Sequence, residues 1–221
     1  MAWSYSSIST FKQCPKKYFH LKVAVDVQDT GSEAMVYGNQ VHKAAEEFVK
    51  SGAPIPPKFK FVEPIVHALN KITGVKHCEL KLGIRKTKPG YEPCGFFDKD
   101  VWWRGIADLF IKDETKGFLV DYKTSKSARY ADTKQLDMLA GAMFVHHPEM
   151  TIIKSALAFV VSSELVKKKH TAENTTEYLS VFDAELDRLD GAILSGVWNA
   201  NPGPLCGWCP VVLCEHNTKR R

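Results

Sequence analysis

The feature that most constrains the fold of this 221-residue sequence is a pair of neighbouring β-prone segments that carry acidic residues. Residues 102–111 and 118–123 are rich in aromatic, branched and other apolar side chains, and the polar stretch between them is typical of a turn. This pattern predicts an antiparallel hairpin. A turn centred in the polar stretch would place Asp108 directly opposite Asp121.

The predicted register brings two carboxylates and an amine together. The strand period of two places Lys123 on the same face as Asp121. Opposed carboxylates repel each other unless a cation lies between them or one is protonated. A divalent metal is the simpler answer, and a lysine beside it suits phosphodiester chemistry. A register slip of one residue would instead separate the acids, and a solvated charged hairpin is the plain alternative.

The charge of the chain permits an anionic partner without establishing one. The formal net charge is +5. Basic clusters that flank the acidic candidates fit a nucleic-acid path, although solvated surface lysines would give the same pattern. The basic clusters are residues 12–17, 81–88, 123–129, 167–170 and 219–221.

The sequence contains no pattern of a signal peptide and no apolar run of the roughly 20 residues that a membrane helix needs. We therefore expect a soluble cytoplasmic protein without a membrane partner, located in the host cytoplasm if it is viral. In a reducing compartment, the six cysteines are better explained as metal ligands or core residues than as disulfides.

The remaining pattern predicts a mixed α/β fold. Pro15 should interrupt an amino-terminal helix, and the polar stretch 164–176 predicts a loop. Helices are predicted over residues 36–50, 62–72, 134–146 and 184–198, and further strands over 77–84, 152–161 and 177–182. Strand 152–161 is apolar enough to be central. This order predicts a mixed sheet flanked by helices, in a single domain over residues 1–221.

The cysteines near the carboxyl terminus form a second pattern that suggests a metal centre. Cys206 and Cys209 form a C-x-x-C motif, and Cys214 follows among glycines and prolines that favour tight turns. Zinc and iron–sulfur clusters both use four thiolates, and local spacing does not separate them. His216 would suit zinc as a local fourth ligand.

Four short motifs follow one another along the chain. They are G-x-x-x-H ending at His42, G-x-x-D ending at Asp108, D-x-K from Asp121 to Lys123, and Gln135 at the start of a predicted helix. Their order resembles that of the PD-(D/E)xK nuclease superfamily, most closely its RecB-like branch, which includes the Cas4-like exonucleases. The resemblance implies a restriction-endonuclease-like fold with a mixed central sheet and a metal-dependent deoxyribonuclease activity.

The same resemblance implies roles for individual residues. It implies Mg²⁺ or Mn²⁺ ligands at His42, Asp108, Asp121 and the main-chain carbonyl of Tyr122. Lys123 would orient the attacking water and stabilise the transition state, and Gln135 would hold the lysine or the DNA. Leu139 stands where the branch usually has a tyrosine. Glu79 resembles an acidic position that either approaches a second metal or is solvated.

The resemblance also extends to the cysteines and to the substrate. In the RecB-like branch, one cysteine before the core and three after it hold a four-iron, four-sulfur cluster that joins the termini. The implied ligands here are Cys14, Cys206, Cys209 and Cys214, in a clasp formed by the Cys14 region and residues 203–216. The implied activity is exonuclease cleavage of single-stranded DNA, with 5′ to 3′ polarity favoured. It would act in recombination, repair or phage DNA processing, with recombination or replication proteins as partners. The alternative is a non-catalytic, cluster-stabilised DNA- or protein-binding module.

Overall fold

The computed structural model describes residues 2–29 and 31–218, so the basic cluster at 219–221 lies outside the described residues. The chain divides into two compact units. We call the first the sheet unit, which contains Ser32–Val181, and the second the terminal unit, which contains Trp3–Gly31 and the segment from Phe182 onward. The expectation of one domain over residues 1–221 stays a prediction.

The sheet unit is built on a mixed sheet, as the sequence predicts, and this sheet has six strands. Its strands are β1 (Val75–Lys86), β2 (Tyr91–Cys94), β3 (Trp103–Asp113), β4 (Lys116–Lys123), β5 (Ile152–Phe159) and β6 (Glu164–Thr171). Their order is β2-β1-β3-β4-β5-β6, and only the β4–β5 pair is parallel. The strand β5 therefore lies inside the sheet, which confirms its prediction as a central strand.

Helices flank the sheet in the first unit and make up most of the regular structure in the second. They are α1 (Tyr5–Gln13), α2 (Pro15–Tyr18), α3 (Glu33–Ser51), α4 (Glu63–Asn70), α5 (Lys134–His146), α6 (Thr175–Leu179) and α7 (Asp183–Ser195). The predicted helices correspond to α3, α4, α5 and α7. Across residues 2–29 and 31–218, no helix has the length and apolarity needed to span a membrane.

Local sequence signals explain the bounds of α3, which carries one of the candidate site residues. The Ser32 hydroxyl accepts a hydrogen bond from the Met35 N–H at 3.2 Å and so caps the first turn. The helix ends at Gly52, whose φ of 72° is the left-handed conformation that glycine adopts readily. The buried stripe of α3 packs with residues of β3 and β4, namely Val41, Ala44, Ala45, Leu109, Ile111, Val120 and Tyr122.

The hairpin of β3 and β4 has the predicted register. Leu109 pairs with Val120, and the ladder continues from there to the turn. Regular pairing does not extend past Leu109 towards Asp108. Instead the Tyr122 N–H donates to Asp108 Oδ2 at 2.7 Å, so a side chain replaces the next strand contact. The two strands therefore begin to separate at the level of the two aspartates.

Two predictions in the second half of the sheet unit are wrong. Residues 164–176 are not a loop, because β6 occupies most of that stretch, and residues 177–182 are not a strand, because α6 ends at Leu179. β6 is an edge strand with a lysine-rich exposed side, which makes its sequence resemble a polar loop. Leu179 is buried next to Gly141 of α5, so its apolar side chain belongs to a helix contact.

The short strand β2 was not predicted from the sequence. It is an edge strand and includes Pro93, which lowers the strand signal but is tolerated at a sheet edge.

A buried polar network connects α5 to the outer strands. Asp137 of α5 is 4% exposed, and its Oδ1 lies 2.9 Å from Nε2 of the fully buried His170 on β6. Lys168 Nζ donates to Asp137 Oδ2 at 2.7 Å, and Ser155 Oγ lies 3.4 Å from His170 Nδ1. Burial alone would raise the pKa of Asp137, but the hydrogen bonds from His170 and Lys168 outweigh it and lower the pKa. The network thus favours the charged carboxylate.

The terminal unit brings both ends of the chain together around aromatic residues. Pro15 begins α2 and interrupts the helix after α1, as predicted, which leaves Cys14 in an extended conformation at the break. Tyr18 is buried between Phe11, at a ring-centroid distance of 5.6 Å, and Trp198, at 6.1 Å. These contacts fix the segment around Cys14 against the carboxyl-terminal part of the chain.

We expect Asp137→Ala to lower the free energy of unfolding at pH 7 by about 3–5 kcal/mol, because it leaves His170 buried without its partner. The pKa of Asp137 is lowered in the fold, so its contribution should disappear as the pH falls through that pKa. Chemical denaturation at several pH values measures both effects. The exposed Glu177→Ala is the control and should change the free energy by less than about 0.5 kcal/mol. A loss below about 1 kcal/mol in Asp137→Ala would contradict the role of the network.

Candidate active site

One nitrogen and two carboxylate donors converge where β3 and β4 separate. They belong to His42 of α3, Glu79 of β1 and Asp108 of β3, and their donor atoms all lie within 4.8 Å of one another. His42 Nδ1 lies 3.4 Å from Asp108 Oδ2. A mixed set of imidazole and carboxylate ligands suits a divalent ion such as Mn²⁺ or Mg²⁺. These residues could therefore hold a metal.

The conformation of Glu79 is unusual for a residue inside a strand. Its φ is 52°, although Cys78 and Leu80 on either side of it pair regularly with β3. A non-glycine residue in this region costs on the order of 1–3 kcal/mol, and such strained residues are enriched at functional sites. Burial raises the pKa of Glu79, as does the charge of Asp108. The fold thus holds this acid at the level of Asp108 against both backbone strain and charge repulsion.

A second group of side chains lies on β4 and α5. Lys123 Nζ lies 2.6 Å from Asp121 Oδ2 and donates to Gln135 Oε1 at 2.8 Å. Gln135 Nε2 in turn donates to Asp121 Oδ1 at 2.5 Å. The amide of Gln135 therefore contacts both ionisable groups, accepting from one and donating to the other. This closed triangle fixes the positions of the carboxylate and the ammonium.

Electrostatic coupling links the two groups. Burial raises the pKa of Asp121 to about 6, the charge of Lys123 opposes that rise, and the charge of Asp108 adds to it. Burial disfavours protonation of His42, but its hydrogen bond with Asp108 and the surrounding carboxylates outweigh burial and raise its pKa. The site thus concentrates negative charge, which a divalent cation would neutralise.

The structure places the predicted active-site residues in two neighbouring groups. The close donor set contains His42 and Asp108 with Glu79, whereas Asp121 contacts Lys123 and Gln135. Tyr122 contributes its N–H to Asp108, and the role of its carbonyl stays a prediction. The sequence signal for Glu79 was an acid within a β-prone run, but its conformation could not be read from the sequence.

Leu139 makes a core contact where the resemblance would place a tyrosine. It is 2% exposed, and a side chain at Gly105 would lie 3.4 Å from its Cδ2 atom and would overlap the Trp103 ring. Gly105 therefore lets α5 approach β3 closely. Leu139 is buried in the core and helps to position α5.

The four cysteines of the predicted cluster line one cavity of about 160 Å³ in the terminal unit. The Asn201 N–H donates to Cys14 Sγ at 3.4 Å, and the Gly203 N–H lies 3.3 Å from Cys206 Sγ. Among the described residues, no three cysteine sulfurs lie within 4.8 Å of one another. A single tetrahedral zinc, with Zn–S bonds of about 2.3 Å, would hold its sulfurs closer than that. The cavity is also lined by His216.

Comparison with known proteins agrees with this fold. The sequence profile of the PD-(D/E)XK nuclease superfamily matches residues 2–69, a segment that includes His42 but ends before Asp108. The six-stranded mixed sheet with flanking helices is consistent with the fold of that superfamily. The comparison with curated protein sequences found no match.

Two solved structures are similar to this chain over nearly its whole length. The crystal structure of SSO0001 has a TM-score of 0.50 and 12% identity, and the match covers 98% of this chain and 87% of that one. A putative exonuclease from Eubacterium rectale has a TM-score of 0.53 and 14% identity, covering 99% and 87%. At these identities the likeness concerns the fold alone.

We expect Asp121→Asn to stabilise the metal-free protein at pH 8 by about 1–3 kcal/mol. In the folded state the pKa of Asp121 is about 6, compared with an ordinary value of 3.8. Because the folded state binds the proton more tightly than the unfolded state, wild-type stability should fall as the pH rises between these values. Thermal and chemical denaturation in EDTA at pH 3.5, 5 and 8 would show a gap between the proteins that opens with pH. Asp113→Asn, on an exposed residue of β3, should show no such gap. Equal stabilities at every pH would refute the buried charge at Asp121.

Proposed function

We propose that this chain is a divalent-metal-dependent nuclease that hydrolyses phosphodiester bonds in DNA. The observation that carries the proposal is that the donor set of His42, Glu79 and Asp108 and the triangle of Asp121, Lys123 and Gln135 interact: Asp121 acts electrostatically on Asp108 and His42, and its neighbour Tyr122 donates to Asp108. The superfamily profile over residues 2–69 and the fold likeness to a protein named as an exonuclease support it.

Different residues of the site would bind the metal and stabilise the negative charge of the transition state. His42, Glu79 and Asp108, with Asp121 alongside, would hold a Mg²⁺ or Mn²⁺ ion, which when bound would supply positive charge at the scissile phosphate. The Lys123 ammonium has three donors, and its contacts with Asp121 and Gln135 leave one for a phosphate oxygen or a water. Because both partners are fixed, Lys123 meets the developing negative charge without reorganisation.

Gln135 acts as a positioning residue in this scheme. It touches Lys123 and Asp121 through opposite ends of its amide, so it sets their separation and orientation. Lys123 and Asp121, held in place by Gln135, together orient the attacking water.

We propose that single-stranded DNA is the substrate and that cleavage proceeds from an end, with 5′ to 3′ polarity favoured. The motif order, most like that of the RecB-like and Cas4-like exonucleases, supports this choice. The same likeness suggests action in recombination, repair or phage DNA processing, beside recombination or replication proteins. The competing proposal, a non-catalytic binding module, predicts that the triangle around Lys123 has no kinetic role.

We also propose that Cys14, Cys206, Cys209 and Cys214 hold a four-iron, four-sulfur cluster. All four line one cavity, two have backbone N–H groups close to their sulfurs, and hydrogen bonds to sulfur are a common feature of such centres. The alternative to the iron–sulfur cluster is a zinc site that includes His216.

We expect wild-type protein to degrade end-labelled single-stranded DNA in Mn²⁺, and Lys123→Met to lower kcat by about 10²–10³-fold through loss of charge stabilisation. Asp121→Ala should be at least as severe. Lys116→Met removes an exposed lysine from the other end of the same strand and should retain activity within about twofold. Products from 5′-labelled and 3′-labelled strands give the polarity. Equal degradation by wild type and Asp121→Ala would favour the binding module.

Metal binding can be measured without turnover in the same proteins. Mn²⁺ should raise the thermal midpoint of the wild type by an amount that grows with the logarithm of the free Mn²⁺ concentration above the Kd, and His42→Ala and Glu79→Gln should each reduce that shift. A shift that survives both substitutions would place the ion elsewhere.

We expect anaerobically purified protein to be brown, with visible absorption and about four irons per chain. Cys14→Ser should lose the colour because it removes one of the four thiolates, whereas Cys94→Ser, at a cysteine outside the cavity, should keep it. Iron and zinc content by elemental analysis distinguishes the two centres. A colourless protein with one zinc per chain would overturn the cluster.

A further inference from the structure

An exposed aromatic and basic surface lies on the sheet unit, outside the candidate site. We call it the Phe97 surface and define it by Phe97, Phe96, Lys81, Arg104 and Ile106. Phe97 is 75% exposed, and its ring contacts that of Phe96 at a centroid distance of 5.0 Å. Most of the Phe97 side chain is therefore accessible to a partner.

Positive charge surrounds these two rings. Lys81 Nζ lies 5.3 Å from the centroid of the Phe97 ring and 5.8 Å from that of Phe96. The Arg104 guanidinium lies 5.5 Å from the Phe96 centroid on the same surface. Cations above aromatic faces form a combination that can bind a base by stacking and a phosphate by charge.

The neighbouring acids do not cancel this charge. Asp98 Oδ2 accepts from the Gly95 N–H at 2.8 Å and so holds the turn that carries both rings. Arg85 lies between Asp98, at 3.9 Å, and Asp100, whose Oδ1 accepts from it at 2.9 Å. The acids are therefore engaged with Arg85 and with the turn. Lys81 and Arg104 retain the charge that faces the rings.

The strands β1 and β3 connect the Phe97 surface to the candidate site. Lys81 of β1 pairs with Ile106 of β3, two residues from the level of Glu79 and Asp108. Two residues of strand correspond to roughly 7 Å. Gly105 faces Leu139 of α5, so its neighbours Arg104 and Ile106 face the opposite, open side of the sheet. The surface thus begins beside the acids and extends away from them along rigid strands.

We propose that the Phe97 surface binds unpaired nucleotides of the DNA strand next to the bond that is cleaved. Phe97 stacks on a base, Lys81 and Arg104 pair with phosphates, and Ile106 provides apolar contact. Stacking requires an exposed base face, which a paired duplex does not offer along its length, so the surface selects single strands. The proposal rests on the proposed nuclease function and adds to it a residue-level basis for substrate choice.

The test measures binding of a fluorescein-labelled oligothymidylate and of a hairpin duplex of equal length, in EDTA to prevent cleavage. Phe97→Ala should raise the Kd for the single strand by about 5- to 150-fold and leave the duplex Kd within about twofold. Phe97→Trp keeps a stacking ring and should retain binding. Val75→Ala, on a 64% exposed residue at the other end of β1, is the matched control and should have no effect.

The charged members of the surface are tested by salt dependence. Arg104→Gln and Lys81→Gln should each lower the slope of log K against log salt by about 0.7 for single strands. Phe97→Ala should leave that slope unchanged. Lys154→Gln, at an exposed lysine of β5, is the control for loss of one positive charge and should preserve the slope.

The outcomes separate this proposal from the nuclease proposal. If wild type cleaves DNA but Phe97→Ala binds the single strand as tightly as wild type, the Phe97 surface serves another partner and the inference is overturned. Equal weakening for single strand and duplex overturns it as well. If wild type neither cleaves nor binds DNA under any of these conditions, the nuclease proposal fails first and this inference fails with it.

Discussion

The hydrogen bond from the Tyr122 N–H to the Asp108 carboxylate is the contact on which the candidate site depends. It replaces the strand pairing that would otherwise continue past Leu109 and Val120. By using one carboxylate oxygen as a backbone acceptor, the hairpin opens at the place where charge is concentrated. The core on one side of the opening and α5 on the other then set how far the strands can separate.

That arrangement costs stability, and the surrounding structure has to offset the cost. Glu79 has a strained backbone conformation, and burial disfavours the charged form of Asp121. Lys123 offsets only part of the repulsion, because the pKa of Asp121 remains raised beside it. A site optimised for stability would replace one of these acids with a neutral residue. A divalent cation at the proposed site would restore the balance when it binds.

The parts of the fold that follow from local periodicity could be predicted from the sequence, and the parts that depend on tertiary contacts could not. The β3–β4 register was predictable because turn position and the period of two fix it together. β6 was missed because its only fully buried residue, His170, is polar and finds its partner on a distant helix. Likewise, the sequence marks Glu79 as acidic but does not contain the positive φ that turns it towards Asp108. The motifs therefore predict which residues lie close together, whereas the particular contacts between them depend on how the sheet packs.

The helix α5 shows how stability and the candidate chemistry are coupled in this fold. Gln135 contacts Lys123 and Asp121 from the first turn of α5, and Asp137, two residues later, is bonded to His170 and Lys168 of β6. Leu139 then packs against the backbone of β3 at Gly105. The helix α5 thus contacts the sheet through Gln135, Asp137 and Leu139, and the first of these belongs to the candidate site. Because the other two are buried and well partnered, they restrict the motion of the turn that carries Gln135. The precision of the Asp121–Lys123–Gln135 triangle therefore depends on core contacts that never touch a ligand.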